Sequence, residues 1–194
     1  MWDSMIQTKK DLEKYLLEDK RALGKKNKSR PSLIGDEIWK FEIYLRKHEY
    51  YNNLRQTPIN LLLKYFYKYL HYNTGIRLGF TIPINVFEYG LRINHIGLII
   101  VNPGVKVGKY CDIHQGVNIG QNTNEGDIPV IGDNVWIGPG AKIFGKIKIG
   151  NNIAIGANAV VNKSFTENNI TIAGIPAKKI KCTGTEEMIT AKNL

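Results

Sequence analysis

The chain is poor in cysteine and histidine and has no long apolar run, and each shortage removes a class of function. Two cysteines in 194 residues, Cys111 and Cys182, cannot form a disulfide framework, so a reducing cytoplasm is the expected location. The longest apolar stretches are "INLLLKYFYKYL", broken by Lys64 and Lys68, and the short "HIGLIIV". Both fall below the ~18–20 residues a transmembrane helix needs. The start, "MWDSMIQTKKDLEKY", is too polar for an export signal. No nucleic-acid motif is present, so no nucleic-acid partner is expected despite a net charge of +10.

That charge is unevenly spread. Residues 1–80 carry 16 Lys and Arg against 9 Asp and Glu, and residues 81–194 carry 11 against 8. An excess of +7 in the first part suits a Lys-rich solvated helical face. It would also attract a polyanion, a nucleotide-bearing substrate or an anionic membrane surface.

Residues 1–79 read as an α-helical region. Thr8 and Asp11 have capping-box spacing before "LEKYLLEDKRAL". Asp36 is placed to cap "EIWKFEIYLRKHEYYNNL", in which Ile38, Phe41, Tyr44 and Leu45 recur at helical spacing. Thr57-Pro58 then opens "INLLLKYFYKYLHY" with a cap and a proline at the first helical position. The Tyr, Phe and Leu stripes are expected to be packing surface.

After residue 80 the pattern changes. Ile131, Ile137, Ile143, Ile149, Ile155 and Val161 follow one another every six residues, and the count continues upstream through Ile119, Ile113, Val107 and Val101. Only "QNTNEGDIP", residues 121–129, interrupts it, and its composition predicts a loop. A period of six is neither helix nor flat strand. It fits short strands joined by tight corners, three to a coil of about 18 residues, stacked as a parallel β-solenoid. Val135, Ala141, Ile147, Ile153 and Ala159 recur at the fifth position, where the walls converge, and Asp133-Asn134 and Asn151-Asn152 mark corners.

The repeats, with "NHIGLIIVNPGVKVGKYCDIHQGVNIG" and the ending "NITIAGIPAKKI", resemble the hexapeptide-repeat acyltransferases. The likeness is to the serine acetyltransferase branch, which includes polysaccharide O-acetyltransferases, and it covers residues 80–182. It implies a mostly β fold, a left-handed parallel β-helix preceded by helices, with residues 183–194 as a tail. It also implies a homotrimer with acetyl-CoA as co-substrate in the groove between neighbouring solenoids.

Acetyl transfer to a hydroxyl needs a base working near neutrality and donors for the tetrahedral oxyanion. By resemblance the base is His95, six residues before Val101, and Asn94 stands where serine acetyltransferases have an Asp. Phe80 stands where the family has the Asp that orients the histidine, leaving Glu88 and Asp112 as substitutes. Asn94, His114, Gln115 and Asp127 are the expected acceptor contacts. For the cofactor, "IGPGAK", "IGANAV" and "AGIPAKKI" put Gly138, Gly140, Ala141, Gly156, Ala157, Gly174, Pro176, Ala177, Lys178 and Lys179 along the pantetheine and phosphates. Lys181 could join the phosphate contacts, and Pro139 removes one backbone donor.

The loop decides the acceptor expected from sequence. Asp127-Ile128 precede Pro129 where serine acetyltransferases carry an Arg-His pair that engages the amino acid's carboxylate. A sugar or polysaccharide hydroxyl is therefore expected ahead of L-serine. Two further readings share the solenoid. A non-catalytic scaffold would lack the histidine and the Gly-Ile-Pro-Ala ending. A γ-type carbonic anhydrase would need three histidines around zinc, whereas only His95 and His114 lie in the solenoid, so no metal is expected.

Overall fold

The computed structural model describes residues 6–188, 190 and 192, so the expected tail at 183–194 lies partly outside the described residues. Helix α1, Lys9–Ala22, opens with the expected capping box: the Asp11 amide donates to Thr8 Oγ1 at 3.1 Å, and the Thr8 amide to Asp11 at 2.8 Å. Helix α3, Pro58–Leu78, is capped by Thr57 and ends at Gly79, whose φ of 80° takes the left-handed conformation that closes a helix. Helix α2, Glu37–Asn53, packs against both.

Asp36 departs from its expected role as the α2 cap. Its side chain makes no capping hydrogen bond; it accepts from Lys25 at 2.9 Å, Lys28 at 2.7 Å and the Ser32 amide at 2.8 Å. These donors hold its carboxyl well below the usual range. Local capping lost to two ammonium groups delivered by the α1–α2 connection.

A second charge cluster joins the helices to the start of the β region. Arg46 on α2 is fully buried. It donates to Asp19 at 2.7 Å, to Glu49 at 3.0 Å, and to the carbonyls of Phe87 and Glu88 at 2.8 and 2.9 Å. Asp19 in turn accepts from the amides of Gly90 and Leu91. One guanidinium thus ties α1, α2 and the entry to the first coil together.

From residue 80 the chain forms three parallel ladders. One holds β1 (Phe80–Thr81), β3 (Ile99–Val101), β6 (Asn118–Gly120), β9 (Lys142–Phe144) and β12 (Val160–Val161). The second holds β4 (Lys106–Val107), β7 (Val130–Ile131) and β10 (Lys148–Ile149). The third runs β2 (Arg92–Ile93), β5 (Asp112–Ile113), β8 (Trp136–Ile137), β11 (Ala154–Ile155), β13 (Thr171–Gly174) and an antiparallel β14 (Ala177–Lys181). Every residue of the six-residue count from Val101 to Val161 outside the loop is buried, and so are the fifth-position residues. This is the left-handed parallel β-helix of the resemblance. The stacked isoleucines are its core, each worth roughly 1.5–3 kcal/mol of burial. Asn134 and Asn152 hold φ of 53° and 56° at the corners, and their side chains bond to each other at 2.9 Å.

Two details position the site. Asp112 pairs with Trp136, a step of 24 residues where Trp136 to Ala154 takes 18, so the segment between β6 and β7 leaves the wall without disturbing the register. Ile93 pairs with Ile113, so the first coil is longer than 18 and the six-residue count fails there. His95 therefore does not point inward as the count would have it; it is exposed at a corner.

Candidate active site

The third ladder sets the outward residues Arg92, Asp112, Trp136 and Ala154 in one column. Two residues further on, the amides of Asn94, His114, Gly138 and Gly156 each donate to the next coil, at 3.0, 3.2, 2.8 and 2.8 Å. This is a second column. Gly138 must be glycine: a Cβ would sit 2.8 Å from the Ile155 carbonyl oxygen and the Ala157 amide. Beyond this column the chain turns the corner that carries His95 and Gln115.

Asp112 organises the first column. Its carboxylate is buried and accepts from Arg92 at 2.9 Å and from the Asn94 side-chain amide. It also stands 4.0 Å from His114 Nδ1. That nitrogen lies 3.1 Å from the Ile137 carbonyl oxygen, which fixes Nδ1–H as the donor and leaves Nε2 as the other ring nitrogen. The His114 ring packs edge-on against Trp136 at 4.9 Å and lies 6.2 Å from the ring of His95. Burial pulls the His114 pKa down while Asp112 opposes the shift. His95 is exposed, and Gln115 Oε1 nearby is buried and accepts no hydrogen bond from the described residues.

The structure thus brings together His95, Asn94, His114 and Gln115. Asp127 stands apart. It lies in the loop between β6 and β7, accepts from the Asn124 side chain at 3.2 Å, and no hydrogen bond joins it to the other four among the described residues. Of the two carboxylates considered in place of Phe80, Asp112 is the one on this wall. Glu88 sits beside β4, its amide bonded to the Val107 carbonyl, and Phe80 packs on Phe41 at 5.1 Å.

The cofactor candidates follow the same wall. Gly138 and Gly156 lie in the second column, Gly140 and Ala157 at the corner beyond it, and Gly174 and Pro176 in the turn of the β13–β14 hairpin. Ala141 and Ala177 are buried, so only their backbone can meet a ligand. Lys178 and Lys181 are exposed, and Lys179 pairs with Glu167 at 2.5 Å.

Sequence reasoning missed three features here: the Arg92–Asp112–Asn94 network, Trp136 under His114, and a cavity of about 320 Å³. The cavity is lined by Lys25, Asp36, Trp39, Arg92, Asn94 and Ile96, and so lies between the helices and the first coil. A signal for the network existed. Asp112 is the one acidic residue among the outward positions of this wall, directly before the inward Ile113. The cavity had none, because residues from the α1–α2 connection and α2 complete it.

Comparison with known proteins bears on the fold. The family described as bacterial transferase hexapeptide (six repeats) matches residues 128–163. Serine acetyltransferase from Buchnera aphidicola subsp. Schizaphis graminum is 36% identical over 95 residues, 47% of this chain and 36% of its own length. Serine acetyltransferase from Synechococcus elongatus is 36% identical over 112 residues, 57% of this chain and 42% of its own. The matches thus span less than half the length of these curated relatives. Among solved structures, the Brucella abortus serine acetyltransferase in complex with coenzyme A superposes with a TM-score of 0.68 at 28% identity, covering 91% of this chain and 70% of that one. The Neisseria gonorrhoeae serine acetyltransferase in complex with serine gives 0.64 at 25% identity, covering 89% and 70%.

Proposed function

We propose that this chain, which resembles the hexapeptide-repeat acyltransferases of the serine acetyltransferase-like branch, moves an acetyl group from acetyl-CoA to a hydroxyl. His95 acts as the general base. Its exposed ring takes the acceptor's proton as the hydroxyl oxygen attacks the thioester carbonyl, and the thiolate of CoA leaves with a proton. The pantetheine arm runs along Gly138, Gly140 and Gly156, and Lys178 offers a point charge to the phosphates.

The observation that carries this proposal is the likeness to the Brucella abortus coenzyme A complex over 91% of the chain, with His95 exposed on the wall that bears the glycines. L-Serine is the first acceptor. The relatives named above are serine acetyltransferases, which reverses the order expected from the loop. A glycan hydroxyl is the second reading, favoured by one observation: the loop carries Asp127 where a cation would engage serine.

Thiol release from acetyl-CoA, followed with L-serine and with a panel of sugars and glycans, separates the two. Turnover on serine that disappears in His95→Ala is the expected result. Turnover on a glycan with none on serine moves the acceptor to the second reading. No turnover on either, with no thermal stabilisation by acetyl-CoA, overturns the enzyme in favour of a scaffold.

A further inference from the structure

Helix α3 has two faces, and the fold uses only one. His71, Gly75 and Leu78 are buried against the body of the protein, with Leu63, Tyr67 and Leu70 partly covered beside them. On the other side Leu62, Tyr65, Phe66, Tyr69, Tyr72 and Ile76 follow one another at three- and four-residue spacing, and all are exposed, Leu62 by 71% and Tyr72 by 70%. From Ile59 to Ile76 the strip is roughly 25 Å long. Apolar residues scattered singly over a surface need no explanation, but a continuous strip of this size does.

The charge around the strip is of one sign. Residues 50–87 contain no Asp or Glu, while Arg55, Lys64, Lys68 and Arg77 all lie there. At helical spacing Lys68 falls on one flank of the strip and Arg77 on the other. Three of the exposed residues are tyrosines, with an apolar ring and a polar tip. Below the carboxyl-terminal half of the helix the strip continues into an apolar groove of about 550 Å³, which shares Tyr72 and Ile76 with it and is completed by Phe80, Ile82, Ile84 and Leu98. His48 and His71 also line the groove, their Nδ1 atoms 3.1 Å apart; burial holds both pKa values down to about 4, so they add no charge at neutral pH.

We infer that the exposed face of α3 is a membrane-docking surface that lies flat on an anionic lipid bilayer, with its apolar strip in the headgroup–acyl boundary and the groove open to an acyl chain. An apolar strip with tyrosines and flanking cations, without acidic residues, is the composition of an interfacial helix. Long basic side chains on the flanks reach lipid phosphates while their stems cover apolar surface. A second copy of the same face is the poorer occupant, because a two-fold contact would set Lys68 and Arg77 among their own equivalents. Among the described residues no helix is long and apolar enough to cross a membrane, so α3 lies on the bilayer.

The test is sedimentation of the full chain with vesicles of phosphatidylcholine alone and of phosphatidylcholine with a third phosphatidylglycerol. Binding to the anionic vesicles is expected, weak on the neutral ones and falling as salt is raised. Leu62→Glu and Tyr69→Glu, both at exposed positions, should abolish it while leaving the circular dichroism spectrum unchanged. Lys68→Gln and Arg77→Gln keep the strip and should each weaken binding about fivefold, as one basic residue at an anionic surface does. Three results overturn the inference. One is no binding to anionic vesicles. Another is binding that survives Leu62→Glu and Tyr69→Glu, which leaves a diffuse charge effect. The last is a change of oligomeric state in those variants without vesicle binding in the parent, which makes the face a protein contact.

Discussion

Replacing Asp112 by Asn probes the centre of the candidate site with a near-isosteric change. The Asp112 side chain is 1% exposed and carries three relationships at once: the Arg92 guanidinium at 2.9 Å, the Asn94 amide, and His114 Nδ1 at 4.0 Å. Asparagine keeps one acceptor oxygen for Asn94 and loses the charge. A hydrogen bond to a charged group is worth about 1.5–3 kcal/mol, and Arg92 is still 24% exposed to water, so the loss should be at the lower end, about 1–2 kcal/mol. For a chain of this length that lowers Tm by roughly 2–8 °C. The second consequence has a fixed sign. Burial lowers the His114 pKa and Asp112 raises it, so removing the charge must lower it further. Calorimetry gives the first quantity, and histidine NMR titration of parent and variant gives the second. A His114 pKa that rises or does not move in Asp112→Asn refutes the placement of Asp112 as the group that tunes this wall.

His95→Ala should reduce acetyl transfer by ~10²–10⁴-fold while acetyl-CoA still protects the protein in a thermal shift assay; near-normal turnover removes His95 from the mechanism. Arg46→Ala strands the buried carboxylates of Asp19 and Glu49 and should cost about 3–5 kcal/mol in urea unfolding, whereas a loss below about 1 kcal/mol would mean that the cluster is solvated. His48 and His71 have folded pKa values near 4, below the 6.5 of free histidine, so the unfolded chain binds more protons between those values. Stability is then full above pH 6.5 and falls towards pH 4, by on the order of 2 kcal/mol per histidine between pH 7 and pH 5. Urea midpoints that stay flat across that interval contradict it. Light scattering should give a trimer, three times the 22.0 kDa of one chain, and a monomer at micromolar concentration removes any site composed between neighbours.

The inward ladder was legible because its period is set by a repeating physical constraint: every sixth side chain faces the same shrinking interior, and Ile131 through Val161 report it without a slip. His95 was legible only through its resemblance. The same count that finds Ile137 would have buried His95, because nothing local reveals that Ile93 pairs 20 residues on with Ile113. Charges on helices were read as solvated, and Arg46 shows the weakness of that: its partners come from α1 and from backbone carbonyls at Phe87 and Glu88, too distant in sequence to suggest a buried pair. Periodicity on α3 gave an apolar stripe correctly but assigned it to packing. A stripe tells that something apolar is to be covered, not what covers it.

The hairpin of β13 and β14 has a consequence for self-association. A stack of parallel coils presents at each end a rim of unpaired amides and carbonyls, and such a rim recruits further strands as readily as the last coil recruited its own. At the first rim α3 runs directly into β1 and packs against it, and the backbone amide of Ile93 turns to the Glu42 side chain of α2. On the site wall the last parallel strand, β13, meets β14 running the opposite way, with a shifted register between Thr171 and Ile172. A coil arriving from another molecule would find on that wall a strand of the wrong direction bearing Lys178, Lys179 and Lys181. Deleting residues from 177 onward would expose β13 as a parallel template, and fibres growing end to end are the expected product.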